Sequence, residues 1–351
     1  MKVNADQLRR FCSEVLSKSI PYEEAEVVAD NLVEADLLGF YSHGVSKVTD
    51  YLKRMEDGLI EKETKVTVNN QTKTTATFDA NNGWGQVVSV QAMNSAIDMA
   101  LEYGTGFTGV KNSNHFGITS YYTQLAAKRG CIGFATTNAS GLMVPFGSKE
   151  PSLGTNPISF AIPVGEGKNP VVLDMSTGNT ARGKITLAKK MGKKIPEDWA
   201  ITKDGKQTTD ATEALAGYLL PMGPKGSGLA IVVDILSGVL TGALFGSNVP
   251  RMYEDPEPQR LGHFFGAINI EAFMPLELFY QRMEERVSQT VNSAPMDGFN
   301  RVYMPGELEA EKKQDQLENG INLPDEIIAE LEKTGQRFNV DIGNYLYELK
   351  E

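Results

Sequence analysis

His43, His115 and His263 are the only imidazoles in this 351-residue chain. His115 stands in FTGVKNSNHFG (Phe107 to Gly117), which reads as a strand running out into a loop. ITSYYTQLAAKRG follows as a helix stopped at Gly130. Strand-and-helix proteins place reactive groups where a strand ends and a helix begins. An imidazole there can exchange a proton near neutral pH, or it can be a satisfied core or surface residue. His43, Lys47, Tyr51 and Arg54 are spaced four, four and three, opposite Val45, Val48, Leu52 and Met55. At helical periodicity the second set is an apolar face. The first is either a solvated face or a stripe that suits a carboxylate-bearing ligand. The three histidines show no short ligand spacing, so no metal site is expected. His263, inside an apolar strand, reads as structural.

Two glycine-rich stretches bear on phosphate binding. GTGFTG (Gly104 to Gly109) fits the dinucleotide spacing, but that turn needs a strand before it and a helix after it. Here the order is reversed, so it reads as a helix C-cap. GPKGSGLAIVVDIL (Gly223 to Leu236) carries Lys225 into the N-terminus of a helix, where amide N–H groups and the positive helix end favour an anion. It is not a Walker A sequence. No G-x-S-x-G elbow supports an α/β-hydrolase.

The elements that must position these residues come from an acidic, moderately apolar chain. The formal charge of −11 argues against nucleic acid but permits a locally positive pocket. No apolar run is long enough for a membrane span. MKVNADQLRRF is polar and amphipathic, unlike a signal peptide, and Cys12 and Cys131 read as small buried hydrophobes, consistent with a reducing cytoplasm. Asn4 with Gln7 resembles a capping box, Pro21 opens a second helix, and a third is expected from Ser42 to Gly58. Strands are expected near 65–68, 75–80, 169–176 and 262–270, and in the stretches around Phe107 and Cys131. Helices are expected over 86–103, 229–244, 276–291, 306–317 and 324–334. The resulting expectation is an α/β fold. A helical domain would form from 1–72 with 306–351, around a core over 73–305.

Taken in order, SHGVSKVTDYLKRMEDG, NSNHFG, VPFGSKEPSLGTNPISFAIP, LDMS, GKITLA, PEDWAITKDGKQTTD, GPKGSGLAIVVDILSGVLTG and VYMPGE resemble the malate/L-lactate dehydrogenase-like family. That family is distinct from the Rossmann lactate and malate dehydrogenases and includes ureidoglycolate, sulfolactate and diketogulonate enzymes. DILSGVLTGALFG, the MYED segment and GFNRVYMPG are most similar to its ureidoglycolate branch, which works in allantoin (purine) degradation. The resemblance implies a non-Rossmann NAD(P)-binding core with a mixed sheet, and a cytoplasmic homodimer with sites near the subunit interface. It implies that His115 accepts the proton of a small 2-hydroxy acid while a nicotinamide, NAD or alternatively NADP, takes the hydride. His43, Lys47 and Tyr51 would hold the substrate carboxylate. The cofactor would lie near Ala139, Ser140, Asp174, Met175, Ser176, Lys225, Gly306, Glu307 and Leu308. Ureidoglycolate, oxidised to oxalurate, is the implied substrate, with malate, L-lactate or sulfolactate as alternatives. A cofactor-free lyase or isomerase using His115 and His43 is the competing class. The family often has Arg where this chain has Lys47, which keeps the charge but loses the bidentate fork.

Overall fold

The computed structural model describes residues 2–345. Met1 and residues 346–351, part of the expected helical domain, lie outside the described residues.

In chain order the first elements are β1 (Lys2–Val3), α1 (Ala5–Ser17), α2 (Tyr22–Leu37) and α3 (Lys47–Glu56). Then come β2 (Thr67–Asn69), β3 (Thr75–Asp79), α4 (Gly85–Tyr103), β4 (Thr105–Ser113), α5 (Ser120–Ala127), β5 (Cys131–Thr137), β6 (Ile158–Ile162) and β7 (Val171–Met175). An excursion follows through α6 (Arg182–Lys190), β8 (Ala200–Ile201), α7 (Ala211–Ala216), β9 (Tyr218–Leu219) and α8 (Gly223–Asp234). The chain closes with β10 (Leu261–Asn269), α9 (Leu276–Val291), α10 (Glu307–Asn319), β11 (Ile321–Asn322) and α11 (Asp325–Arg337).

Seven strands form one sheet in the order β2-β3-β4-β10-β5-β6-β7. β3 and β4 run parallel and the other pairs antiparallel, so the sheet is mixed. α4 makes the crossover that a parallel pair requires. Its Val88, Ala92, Met93, Ala96 and Ile97 are buried with Val110, Ala135 and Phe265 of the sheet. A second core joins both ends of the chain: Leu8, Phe11, Leu32 and Leu52 pack with Ile321, Leu331 and Val340. Trp84 and Val87 belong to that second core, so the start of α4 ties it to the sheet. We propose the two-part division on this basis, with β2 taken into the α/β core because it pairs with β3.

Several elements differ from expectation for local reasons. Asn4 caps α1 by accepting from the amides of Asp6 and Gln7 at 2.9 and 3.2 Å. Gln7 Oε1 is buried without a partner, so the reciprocal arm of a capping box is missing. The segment expected as one helix from Ser42 splits into a 3-10 turn over Tyr41–His43 and then α3. α8 starts at Gly223, not Leu229, because Pro224 in a first helical turn gives up no intrahelical hydrogen bond. The helix then widens into a π segment over Ile235–Val239. Around and after Trp199, β8 pairs with β9 and α7 lies between them. GTGFTG sits where α4 ends and β4 begins, with Gly104 at φ 92°.

Candidate active site

Tyr51 and Arg54 are 1% and 5% exposed, so the polar stripe of α3 is not a solvated face. Tyr51 points at the loop after β4, where its hydroxyl lies 2.7 Å from His115 Nδ1. The ring of His43 stacks on that of His115 at 5.5 Å between centroids. Lys47 Nζ donates to Asp50 Oδ2 at 2.9 Å and to the Tyr253 hydroxyl at 2.5 Å. Four residues singled out from sequence therefore meet: His115 from the β4–α5 loop, His43 from the 3-10 turn, and Lys47 and Tyr51 from α3.

Each is held by backbone around it. Asn114 Nδ2 donates to the Asn82 and Gly83 carbonyls at 3.1 and 3.0 Å, and Gln259 Oε1 accepts from the His115 amide at 3.3 Å. A Cβ on Gly85 would stand 2.2 Å from the Asn114 carbonyl oxygen, so only glycine lets α4 start this close to the loop. On the other side, buried Asp36 accepts from the Val45 amide at 2.8 Å. A Cβ on Gly44 would overlap its carboxylate at 1.9 Å. Asp36 thus breaks the helix between His43 and Lys47 and sets their relative positions.

Electrostatics follow from burial. His43 and His115 are half-buried. Desolvation, then the Lys47 cation, lowers the pKa of His43 to about 4. Desolvation, then His43 and Lys47, holds His115 well below its ordinary value. Both rings are neutral at pH 7. Burial pushes the Tyr51 phenol up, so it stays protonated. Burial opposes charge on Lys47, but Tyr253 and Asp50 outweigh it and raise its pKa. The third histidine is different. His263 is fully buried in β10, its Nδ1 2.7 Å from Thr137 Oγ1 and its Nε2 2.8 Å from Ser113 Oγ, and Phe116 stacks on it at 4.5 Å. With both nitrogens engaged it is a structural support beneath the His115 loop.

The residues expected around the cofactor fall into three groups. Asp174 and Gly306 line a cavity of about 320 Å³ with Ser120, Leu38, Val172 and Ala310. Asp174 Oδ2 accepts from the Ser120 amide at 2.7 Å, and burial raises its pKa to about 6. Ser120 Oγ is buried without a partner, which is costly unless a ligand or water meets it. A Cβ on Gly306 would come 2.7 Å from the Val172 carbonyl oxygen. A cavity whose walls mix apolar side chains with Gln124, Asn169 and Lys313, and which holds a carboxylate and an unmet hydroxyl, fits a hydroxyl-bearing, flat-ringed ligand such as part of a dinucleotide. Glu307 accepts from the Met304 amide at 2.9 Å and pairs with Arg301 at 3.1 Å, while Leu308 is exposed. Met175 ends β7, and Ser176 Oγ donates to the Gly178 carbonyl at 3.4 Å.

The second group, Ala139 and Ser140, adjoins the substrate side. The Ala139 amide donates to Asn156 Oδ1 at 3.1 Å, and the Ser140 hydroxyl donates to the Pro250 carbonyl at 2.7 Å. Lys225 makes the third. It is exposed in the first turn of α8 and is not part of the cavity wall. The chain from Asp174 to Gly183 connects these places. The Met222 amide, at the start of α8, donates to Thr177 O at 3.1 Å, and Gly183 lies against Ser42. Asp36, Asp50, Ser120, Tyr253 and Gln259 were not singled out from sequence. Asp50 pairs with Lys47 at a helical i,i+3 spacing that could have marked it, whereas the partners of Ser120, Tyr253 and Gln259 lie far away in the chain, where no local spacing marks them. Among the described residues no group of His, Cys, Asp and Glu could hold a metal ion.

A neutral imidazole facing a phenol, with an ammonium beside it, is equipped to move a proton on a small carboxylic acid. Comparison with known proteins makes the chain a 2-hydroxy acid dehydrogenase. The family described as malate/L-lactate dehydrogenase matches residues 3–332, and the chain belongs to it. A malate dehydrogenase of Pyrococcus abyssi is 38% identical, covering 97% of this chain and 96% of its own. A ureidoglycolate dehydrogenase (NAD(+)) of Escherichia coli is 36% identical over 93% and 94%. The solved sulfolactate dehydrogenase of Methanocaldococcus jannaschii superposes with a TM-score of 0.92 at 38% identity, covering 98% and 99%. No helix among the described residues is long and apolar enough to cross a membrane.

Proposed function

We propose that the chain oxidises ureidoglycolate to oxalurate in the cytoplasm, with NAD as partner and NADP as the alternative carrier. The reading is supported by the segments near Asp234, Tyr253 and Tyr303 that resemble that branch; overall identity, 36% to a ureidoglycolate dehydrogenase and 38% to a malate dehydrogenase, does not rank the substrates. A bound nicotinamide supplies the hydride acceptor. The chain's own residues do the rest. Asp174, Ser120 and Gly306 would hold the cofactor, with Lys225 near its phosphates. The Lys47 ammonium would take the substrate carboxylate, with His43 packing beside it. His115 would receive the alcohol proton. The observation that carries this is the 2.7 Å approach of the Tyr51 hydroxyl to His115 Nδ1. The phenol can accept the alcohol proton while passing its own to the imidazole, so charge is balanced and Tyr51 ends neutral.

The chain would act as a homodimer. Ile231, Val232, Ile235, Val239 and Leu240 are 43–62% exposed along α8 and its π extension. A continuous apolar stripe of this kind marks an interaction surface.

The test is a panel of ureidoglycolate, malate, L-lactate and sulfolactate with NAD and NADP. Ureidoglycolate with NAD should give the highest kcat/KM. Turnover of malate with none of ureidoglycolate would overturn the substrate assignment. Absence of any saturable reduced-nicotinamide signal would favour the cofactor-free lyase instead.

A further inference from the structure

We propose that Asp50 and Tyr253 set the substrate class. They tune the pocket to a 2-hydroxy acid with one carboxylate and an uncharged, hydrogen-bonding tail, and select against dianionic acids. The inference rests on the reading that Lys47 receives the substrate carboxylate, and adds what the remainder of the substrate must be.

Asp50 Oδ2 accepts from Lys47 Nζ at 2.9 Å and from the Tyr253 hydroxyl at 3.1 Å. The ammonium is therefore met by a carboxylate and a phenol before any ligand arrives. The segment carrying the phenol is fastened to α3 at separate points. The Arg54 guanidinium donates to the Met252 carbonyl, and to that of Glu257 at 3.4 Å. The Ser140 hydroxyl holds the carbonyl of Pro250, three positions before Tyr253, at 2.7 Å. Tyr253 itself is 66% exposed, and its hydroxyl reaches Lys47 and Asp50 from the surface side.

Formal charge around Lys47 can be counted. Lys47 and Arg54 are positive, Asp50 is negative, both imidazoles are neutral, and Asp57, which also faces Arg54, is paired with Lys53 at 2.9 Å; this leaves one positive charge in surplus. One carboxylate matches that surplus. A second carboxylate or sulfonate on the same small molecule would leave the half-buried pocket net negative beside Asp50, a costly juxtaposition of like charges. The groups that remain for a tail are an acceptor, Asp50, and a phenol, Tyr253. A carboxamide or ureido tail has N–H donors for the first and a carbonyl for the second.

L-Malate and its 4-monoamide share a skeleton and differ in the distal charge. The wild-type enzyme should favour the monoamide in kcat/KM by on the order of tenfold or more. Asp50→Asn should shrink that ratio by a similar factor, mainly through the KM for malate. Tyr253→Phe, at an exposed site, should move it the same way by less, and supplies the reading if Asp50→Asn does not fold. A wild-type preference for malate, or a ratio unmoved in the folded variants, overturns the proposal. Ureidoglycolate is scored separately. Its failure with the monoamide preference intact removes that substrate and supports the charge rule. Its turnover with an unmoved ratio removes the charge rule alone.

Discussion

The Tyr51 hydroxyl on α3 lies 2.7 Å from Nδ1 of His115, in the loop after β4. The Gly117 amide donates to the same nitrogen at 3.3 Å. A ring nitrogen that accepts from an amide N–H holds a lone pair, so the resting imidazole carries its proton on Nε2. A proton leaving an alcohol for His115 must then arrive at Nδ1, where Tyr51 stands.

Tyr51→Phe should therefore lower kcat by on the order of 10²-fold while leaving reduced-nicotinamide affinity little changed. His115→Ala should cost at least as much. Single-turnover hydride transfer and a fluorescence titration measure the two quantities. Near-normal turnover in either variant would remove the residue from the reaction.

The acid limb of the kcat/KM profile should lie well below the ordinary imidazole range, because desolvation and neighbouring cations hold His115 down. Lys47→Met removes one of those cations. The limb should then move upward, toward the ordinary value, alongside a raised KM. A limb that stays put in this variant would mean that another group governs it.

Burial raises the pKa of Asp36 from 3.8 to about 7 against the pull of the Val45 amide. Between those pH values the folded chain keeps a proton that the unfolded chain has lost, so stability falls as pH rises through the window. The effect is on the order of a few kcal/mol at most. Asp36→Asn keeps an oxygen for Val45 and removes the titration. Its stability relative to wild type should be higher at pH 8 than at pH 5 in urea denaturation. An equal difference at both values would contradict this.

Leu240, 62% exposed on the apolar stripe, should be tolerated by the fold as lysine but not by an interface. Leu240→Lys should shift light-scattering mass from dimer toward monomer with circular dichroism unchanged. A wild-type chain that is already monomeric would defeat the assembly reading.

The regular elements were legible because helical and alternating periodicities are local. α9 runs from Leu276 to Val291, as its pattern predicts, and the reversed order around GTGFTG excluded a Rossmann turn correctly. The α3 stripe was legible as a pattern but ambiguous in meaning. Spacing says that Tyr51 and Arg54 share a face; it does not say that the 250–257 segment returns to cover them.

Residue order alone thus determined a mixed α/β chain, the candidate proton carrier at His115 and a cationic stripe to go with it. It also carried the family resemblance, because those motifs are contiguous. Only the folded structure decided the state of the groups. Asp36 breaks the helix before Lys47, His263 proves to be a support, and Asp50 with Tyr253 offsets the Lys47 charge. Those outcomes depend on desolvation and on partners as far as 206 positions apart, which no local periodicity encodes.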